Sequence, residues 1–232
     1  MATYKTPSLV SYTAIDTQSA SPAQKQLLAF YESNSFYDDA AIKMLEAYLA
    51  EQIANSTVDI DANLALLKLY LVFPAHLDAD KVAKVLVKGI TVTPSPFFTG
   101  ASSIVPESVR EDANVKLALE AGFLLQSCLF AEFWKLDLTF ASAVTGFSDA
   151  VRAFILDALR KSHSVISTAV LKSALHISDK EVADVIAAEK WAALEGDLVK
   201  VTPNEDNQVR PKKIQEKIEF EDVLKVIDTL SR

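Results

Sequence analysis

The sequence predicts two α-helical units in series, the second closed by a small β-hairpin and followed by one more helix. Three observations carry that prediction. Five glycines in 232 residues leave little for the tight turns of an extensive sheet. Half of the residues are hydrophobic, enough to fill one large core or two modest ones. Apolar positions recur with helical spacing along most of the chain, and alternation with period two is confined to one short stretch near its end.

The first unit is expected over residues 21–146. Residues 1–20 are polar and rich in Ser and Thr, which predicts a flexible tail. Ser21 then reads as an N-cap with Pro22 at the first helical position. Residues 39–53 place Ile42, Leu45, Leu49 and Ile53 on one face. Residues 62–73 are apolar nearly all round with Lys68 as the only charge, so this helix should be the buried centre of its domain. Residues 80–89 turn Val82, Val85 and Leu86 inward and stop at Gly89. Residues 92–106, with Pro94, Pro96 and Pro106, read as a loop. A long helix is expected over 107–128, with Cys128 as a small core residue, and a short aromatic one over 130–136. Helices of this length on short connections stack as antiparallel pairs, a HEAT-like arrangement, although no sequence signature recurs.

The second unit, residues 147–218, reads as a winged helix. Val151, Phe154, Ile155, Ala158 and Leu159 line one face of a first helix. Ser167 opens a second, with Val170, Leu171, Ala174 and Leu175 inward. Ser178 and Glu181 form a capping box that launches a third, burying Val182, Val185 and Ile186. A ribbon follows, with strands over 198–202 and 208–213 around a polar turn at 203–207. The junction Gly146-Phe147-Ser148 is too short and apolar for a free linker, so the units are expected to pack together.

A helix that reads base edges sits between two rows of phosphates. Here the third helix carries Asp179, Glu181, Asp184 and Glu189 against Lys180 and Lys190, and the whole chain has a net charge of −8. Duplex DNA binding is therefore not expected, and protein contact is the better reading. One basic cluster, Arg210, Lys212, Lys213 and Lys217, stands on and after the wing. It either guards an edge strand or contacts RNA phosphate or an acidic partner, with weak or no direct RNA binding expected.

Residues 219–232 form the second informative feature. Phe220, Val223, Leu224, Ile227 and Leu230 recur along one helical stripe, with Glu221, Asp222, Lys225 and Asp228 opposite. A winged helix is closed without this element. The stripe either folds back on its own domain or joins helices of partner chains.

No catalytic constellation stands out. The histidines at 76, 163 and 176 and the lone Cys128 lack metal-ligand spacing, and the glycines never approach one another closely enough for a phosphate loop. Neither a metal nor a cofactor is expected. The longest apolar stretch, 117–125, contains Glu120 and is far too short to span a bilayer, and the first residues lack a signal-peptide core. The expectation is a cytoplasmic non-enzyme with no membrane contact.

Several segments resemble the subunit K family of eukaryotic translation initiation factor 3. They are Asn63-Leu64-Ala65-Leu66-Leu67-Lys68-Leu69-Tyr70 with Phe73-Pro74, Phe133-Trp134, Thr145-Gly146-Phe147-Ser148-Asp149-Ala150-Val151-Arg152, and residues 210–220 from Arg210-Pro211-Lys212-Lys213 to Phe220. Order and spacing fit over roughly residues 21–230, and the chain departs from the pattern mainly at 92–109. The resemblance implies a HEAT-like domain and a winged helix related to the PCI arrangement of proteasome-lid and signalosome subunits. It further implies a scaffold role on the small ribosomal subunit, with subunit L as nearest neighbour and a C-terminal helix entering an inter-subunit bundle. The alternatives are a PCI-type subunit of another large assembly, or a winged-helix nucleic-acid-binding module.

Overall fold

The computed structural model describes residues 4–13, 20–32, 38–208 and 219–231. Helix α1 (Pro22–Glu32) opens on a reciprocal cap in which the Ser21 N–H donates to Gln24 Oε1 at 2.8 Å and the Gln24 N–H donates to Ser21 Oγ at 3.2 Å. It packs on α2 (Asp39–Asn55), which ends where Ser56 takes a left-handed φ of 52°. Helix α3 (Ile60–Val72) starts at Asp59, whose Oδ1 accepts the Ala62 N–H at 3.1 Å. Its middle is the expected core, with Leu66 and Leu67 fully buried and Lys68 turned to solvent. At its end Leu71 and Val72 are exposed. Helix α4 (Ala79–Thr91), launched by Asp78 as N-cap, buries Val82, Val85, Leu86 and Ile90 against α6 (Ala113–Gln126).

Four expectations for this unit need correction. The stretch 92–106 is not a loop, because Phe97–Ile104 is a helix, α5, with Phe97 and Phe98 buried. The prolines fall before and after it, leaving 97–104 free to coil around its phenylalanine anchors. Gly89 does not end α4 but sits inside it, and a Cβ there would lie 3.1 Å from Phe98 Cα. Gly122 of α6 is still tighter, since its Cβ would lie 1.9 Å from Phe98 Cζ. Both glycines therefore let the Phe98 segment wedge between two helices. The helix expected over 107–128 begins only at Ala113, where Asp112 Oδ1 accepts from the Asn114 and Val115 N–H groups. Cys128 follows α6 with φ 58° and is exposed rather than part of the core.

The tail expected over residues 1–20 also needs correction. Ser8–Val10 forms strand β1, parallel to β2 (Thr57–Asp59), with Ser8 opposite Thr57 and Val10 opposite Asp59. Tyr12 is buried, and its N–H donates to Asp59 Oδ2 at 2.7 Å. Three residues of strand and one tyrosine are too short a pattern to register as periodicity.

A short helix, α7 (Phe130–Phe133), leads to the second unit. Gly146, with φ 78°, opens α8 (Phe147–Ser162). Strand β3 (Val165–Ser167), helices α9 (Thr168–Leu175) and α10 (Asp179–Ala188), and strands β4 (Ala192–Leu194) and β5 (Leu198–Lys200) complete three helices and a sheet of order β3-β5-β4, all antiparallel. The capping box at Ser178 and Glu181 is formed. The hairpin lies one strand earlier than expected: β4 and β5 turn through Gly196 (φ 76°) and Asp197 (φ 57°). The polar turn at 203–207 instead closes the end of α8, where Asn207 Nδ2 donates to the carbonyls of Arg160 at 3.2 Å, His163 at 3.3 Å and Thr202 at 3.1 Å. Most of the second strand expected at 208–213 lies outside the described residues. Val170, expected inward, is exposed.

One hydrophobic core runs through both units. Phe133 lies against Phe147 with tilted rings whose centroids are 6.5 Å apart, and Trp134 Nε1 donates to the Ala174 carbonyl at 2.8 Å. The last helix, α11 (Phe220–Leu230), buries none of its residues.

Candidate partner-binding surfaces

The basic residues of α8 and α9 are committed to the protein itself. Arg152 lies over the Trp134 ring, 5.5 Å from its centroid, and donates through Nε to the Leu175 carbonyl at 3.1 Å. Arg160 pairs with Glu189 at 2.7 Å, Lys161 with Asp157 at 2.7 Å, and Lys172 with Asp179 at 2.6 Å. At the start of α10 the Ser178 backbone N–H and hydroxyl hold the Glu181 carboxyl below its usual range. The carboxylate persists there at neutral pH. Asp179 and Glu189 are thus neutralised by cations that are no longer free for phosphate, and the helix still presents Glu181 and Asp184, the reverse of what a phosphate-lined groove requires.

The C-terminal stripe is brought together as expected, on the single helix α11. Phe220 is 76% exposed and Leu230 83%, with Val223, Leu224 and Ile227 between them also solvent-facing. Val226, not counted in the stripe from the sequence, adds to the exposed apolar surface. Its signal was present, since Val226 neighbours Val223 and Leu230 at helical spacings of three and four. The opposite face is polar, with Lys225 paired to Asp222 at 3.3 Å. No residue of the stripe is buried among the described residues, which leaves its apolar area facing solvent. The wing cluster of Arg210, Lys212, Lys213 and Lys217 lies outside the described residues.

Among the described residues no group of His, Cys, Asp and Glu side chains could hold a metal ion. Among them, too, no helix is long and apolar enough to cross a membrane. The polar groups that are deeply buried serve the fold. Lys88 donates to the carbonyls of Gln52 and Thr57, each at 2.8 Å, and burial lowers its pKa to about 8. Gln52 and Asn63 bond each other at 3.0 Å beside it. Sequence reasoning missed Lys88, which looks like any helical surface lysine.

The family model described as the CSN8/PSMD8/EIF3K family matches residues 76–213. Among similar proteins, one from Drosophila virilis named eukaryotic translation initiation factor 3 subunit K is 32% identical over 191 residues, covering 81% of this chain and 86% of its own. The protein of that name from Xenopus laevis is also 32% identical, covering 81% and 87%. The one from Homo sapiens is 29% identical over 195 residues, covering 82% and 89%. The resemblance to subunit K is borne out at the level of sequence. From the family match and this identity over four-fifths of its length, the chain belongs to the CSN8/PSMD8/EIF3K family.

Proposed function

We propose that this chain is a non-catalytic scaffold subunit of eukaryotic translation initiation factor 3, acting in the cytoplasm on the small ribosomal subunit through protein contacts. The observation that carries the scaffold reading is α11, an apolar stripe on which no residue is buried. Covering these partly and fully exposed apolar side chains would remove them from water, which favours association. The similarity to proteins named as subunit K supports the complex. Subunit L is the partner proposed for α11, as the sequence resemblance implies.

The same family model also groups CSN8 and PSMD8 with EIF3K. That supports the alternative of a subunit in a different large assembly. Affinity purification of the tagged full-length chain from its own cells distinguishes the two. Recovery of initiation factor 3 subunits in stable proportion supports the first reading, and recovery of another assembly without them overturns it.

A further inference from the structure

The N-terminal segment makes contacts of a kind usually made by a bound peptide. It enters with Pro7, a residue suited to the start of an edge strand, and pairs through Ser8, Leu9 and Val10 with β2 alone. The Ser8 N–H donates to the Ser56 carbonyl at 3.2 Å. Two positions past the strand, Tyr12 drops into a recess and is 4% exposed, with its ring edge-on to Tyr31 at 6.0 Å. The recess is prepared by residues of the helical unit. Asp59 Oδ2 accepts both the Tyr12 N–H at 2.7 Å and the Tyr48 hydroxyl at 3.2 Å. Gln24 Nε2 donates to the Tyr48 oxygen at 3.0 Å, and the Asp59 N–H is held by Gln52 Oε1 at 2.8 Å.

The other end of the segment reaches the second unit. Tyr4 is half-buried against the core. Burial raises its hydroxyl pKa, and Arg152, Glu181 and Asp149 of the winged helix act on it electrostatically. The pairing site itself adjoins the boundary between the units, because Ser56 Oγ donates to the Thr145 carbonyl at 3.3 Å. Three residues lie between Tyr4 and Ser8, so one short segment spans that boundary.

We propose that residues 4–13 are a detachable strap occupying a strand-accepting groove of the helical unit, whose floor is β2 and whose specificity pocket takes Tyr12. Alternate residues of an added strand supply specificity while the backbone supplies affinity. A groove whose donors and acceptors are set by Gln24, Tyr48, Gln52 and Asp59 survives removal of its occupant, unlike a contact made between two mobile segments. When the strap leaves, the β2 edge and the tyrosine recess become available to an extended segment of the same pattern. The inference does not depend on which complex the chain joins.

The test uses the full chain with a protease-recognition sequence placed within residues 14–19, cut after folding. The strap should dissociate on dilution while the circular dichroism of the remainder keeps its helical signal. The emptied groove should then bind a fluorescent synthetic peptide of residues 4–13 saturably, and the Tyr12→Ala peptide at least tenfold more weakly. Asp59→Asn in the receptor should also weaken binding, because one of its carboxylate acceptors becomes an amide donor facing an N–H group. Loss of the helical signal with the strap would show that the segment is an integral part of the core and overturn the proposal. Failure of the intact peptide to rebind, or equal binding of the Tyr12→Ala peptide, would overturn it as well.

Discussion

Helices α3 and α11 both carry large apolar residues that call for cover, and they meet opposite fates. In α3, Leu66, Leu67, Leu69 and Tyr70 are buried by α2 and α5, and Asp59 caps the first turn. In α11 every residue faces solvent and the Glu219 side chain makes no capping bond. Amphipathic periodicity states that a face needs covering but not what covers it. The first face is covered within the chain and holds the fold together. The second is covered by none of the described residues, and we propose it as the scaffold's contact.

Substitutions can sharpen this contrast. The largest effect is expected at Leu67: Leu67→Ala should cost about 2–5 kcal/mol in denaturant melts through lost burial and a cavity. Lys68→Gln, one residue away and exposed, should stay within about 0.5 kcal/mol. Equal tolerance at the two positions would remove α3 as the core. Gly122→Ala comes next, since the new methyl would collide with a Phe98 ring that is itself fully buried and cannot swing clear. Overpacking of this kind costs about 1–3 kcal/mol, and Phe98→Leu in the same chain should recover part of it.

Lys88 predicts a pH dependence. Its folded pKa, about 8, lies below its unfolded value of 10.5. The unfolded chain therefore binds the extra proton between those values, and stability should rise with pH across that window by at most about 1.4 kcal/mol per unit. Lys88→Met should flatten this rise. Tyr48 and Tyr70, whose pKa values burial raises above the tyrosine range, act oppositely. Their protonated forms are favoured in the folded chain, so stability should fall once unfolded tyrosines ionise near pH 10. A smaller effect is expected at Asn207. Asn207→Ala removes the side-chain donor from the His163 and Thr202 carbonyls, while Asn204 Nδ2 still donates to the Arg160 carbonyl at 2.9 Å, and should cost on the order of 1 kcal/mol by thermal melts.

What could be read from the sequence follows from the same contrast. Helices α8, α9 and α10 were legible because a capping box and three apolar faces agree with one another. Strand β4, with two alanines and a leucine, carries no β-branched signal, so the hairpin was placed one strand too late. Helix α5 was hidden by prolines that flank it without entering it. The strap was invisible because its strand is three residues long and its acceptor, Asp59, reads as an ordinary helix cap. For the candidate site, the residues of the α11 stripe were legible from spacing alone. Its exposure was not, because whether a face is covered is a property of tertiary packing rather than of its own sequence.

The scaffold reading is tested most directly by Val223→Asp combined with Ile227→Asp in the full-length chain, with thermal melting of the isolated protein measured beside co-purification with initiation factor 3 subunits. Both positions are exposed in the isolated chain, so its melting should be unchanged. Burying two unpaired carboxylates at a helix–helix seam is too costly for association to survive. Unchanged melting with loss of the complex is the expected result. Full recovery of the complex by the double variant would contradict the account.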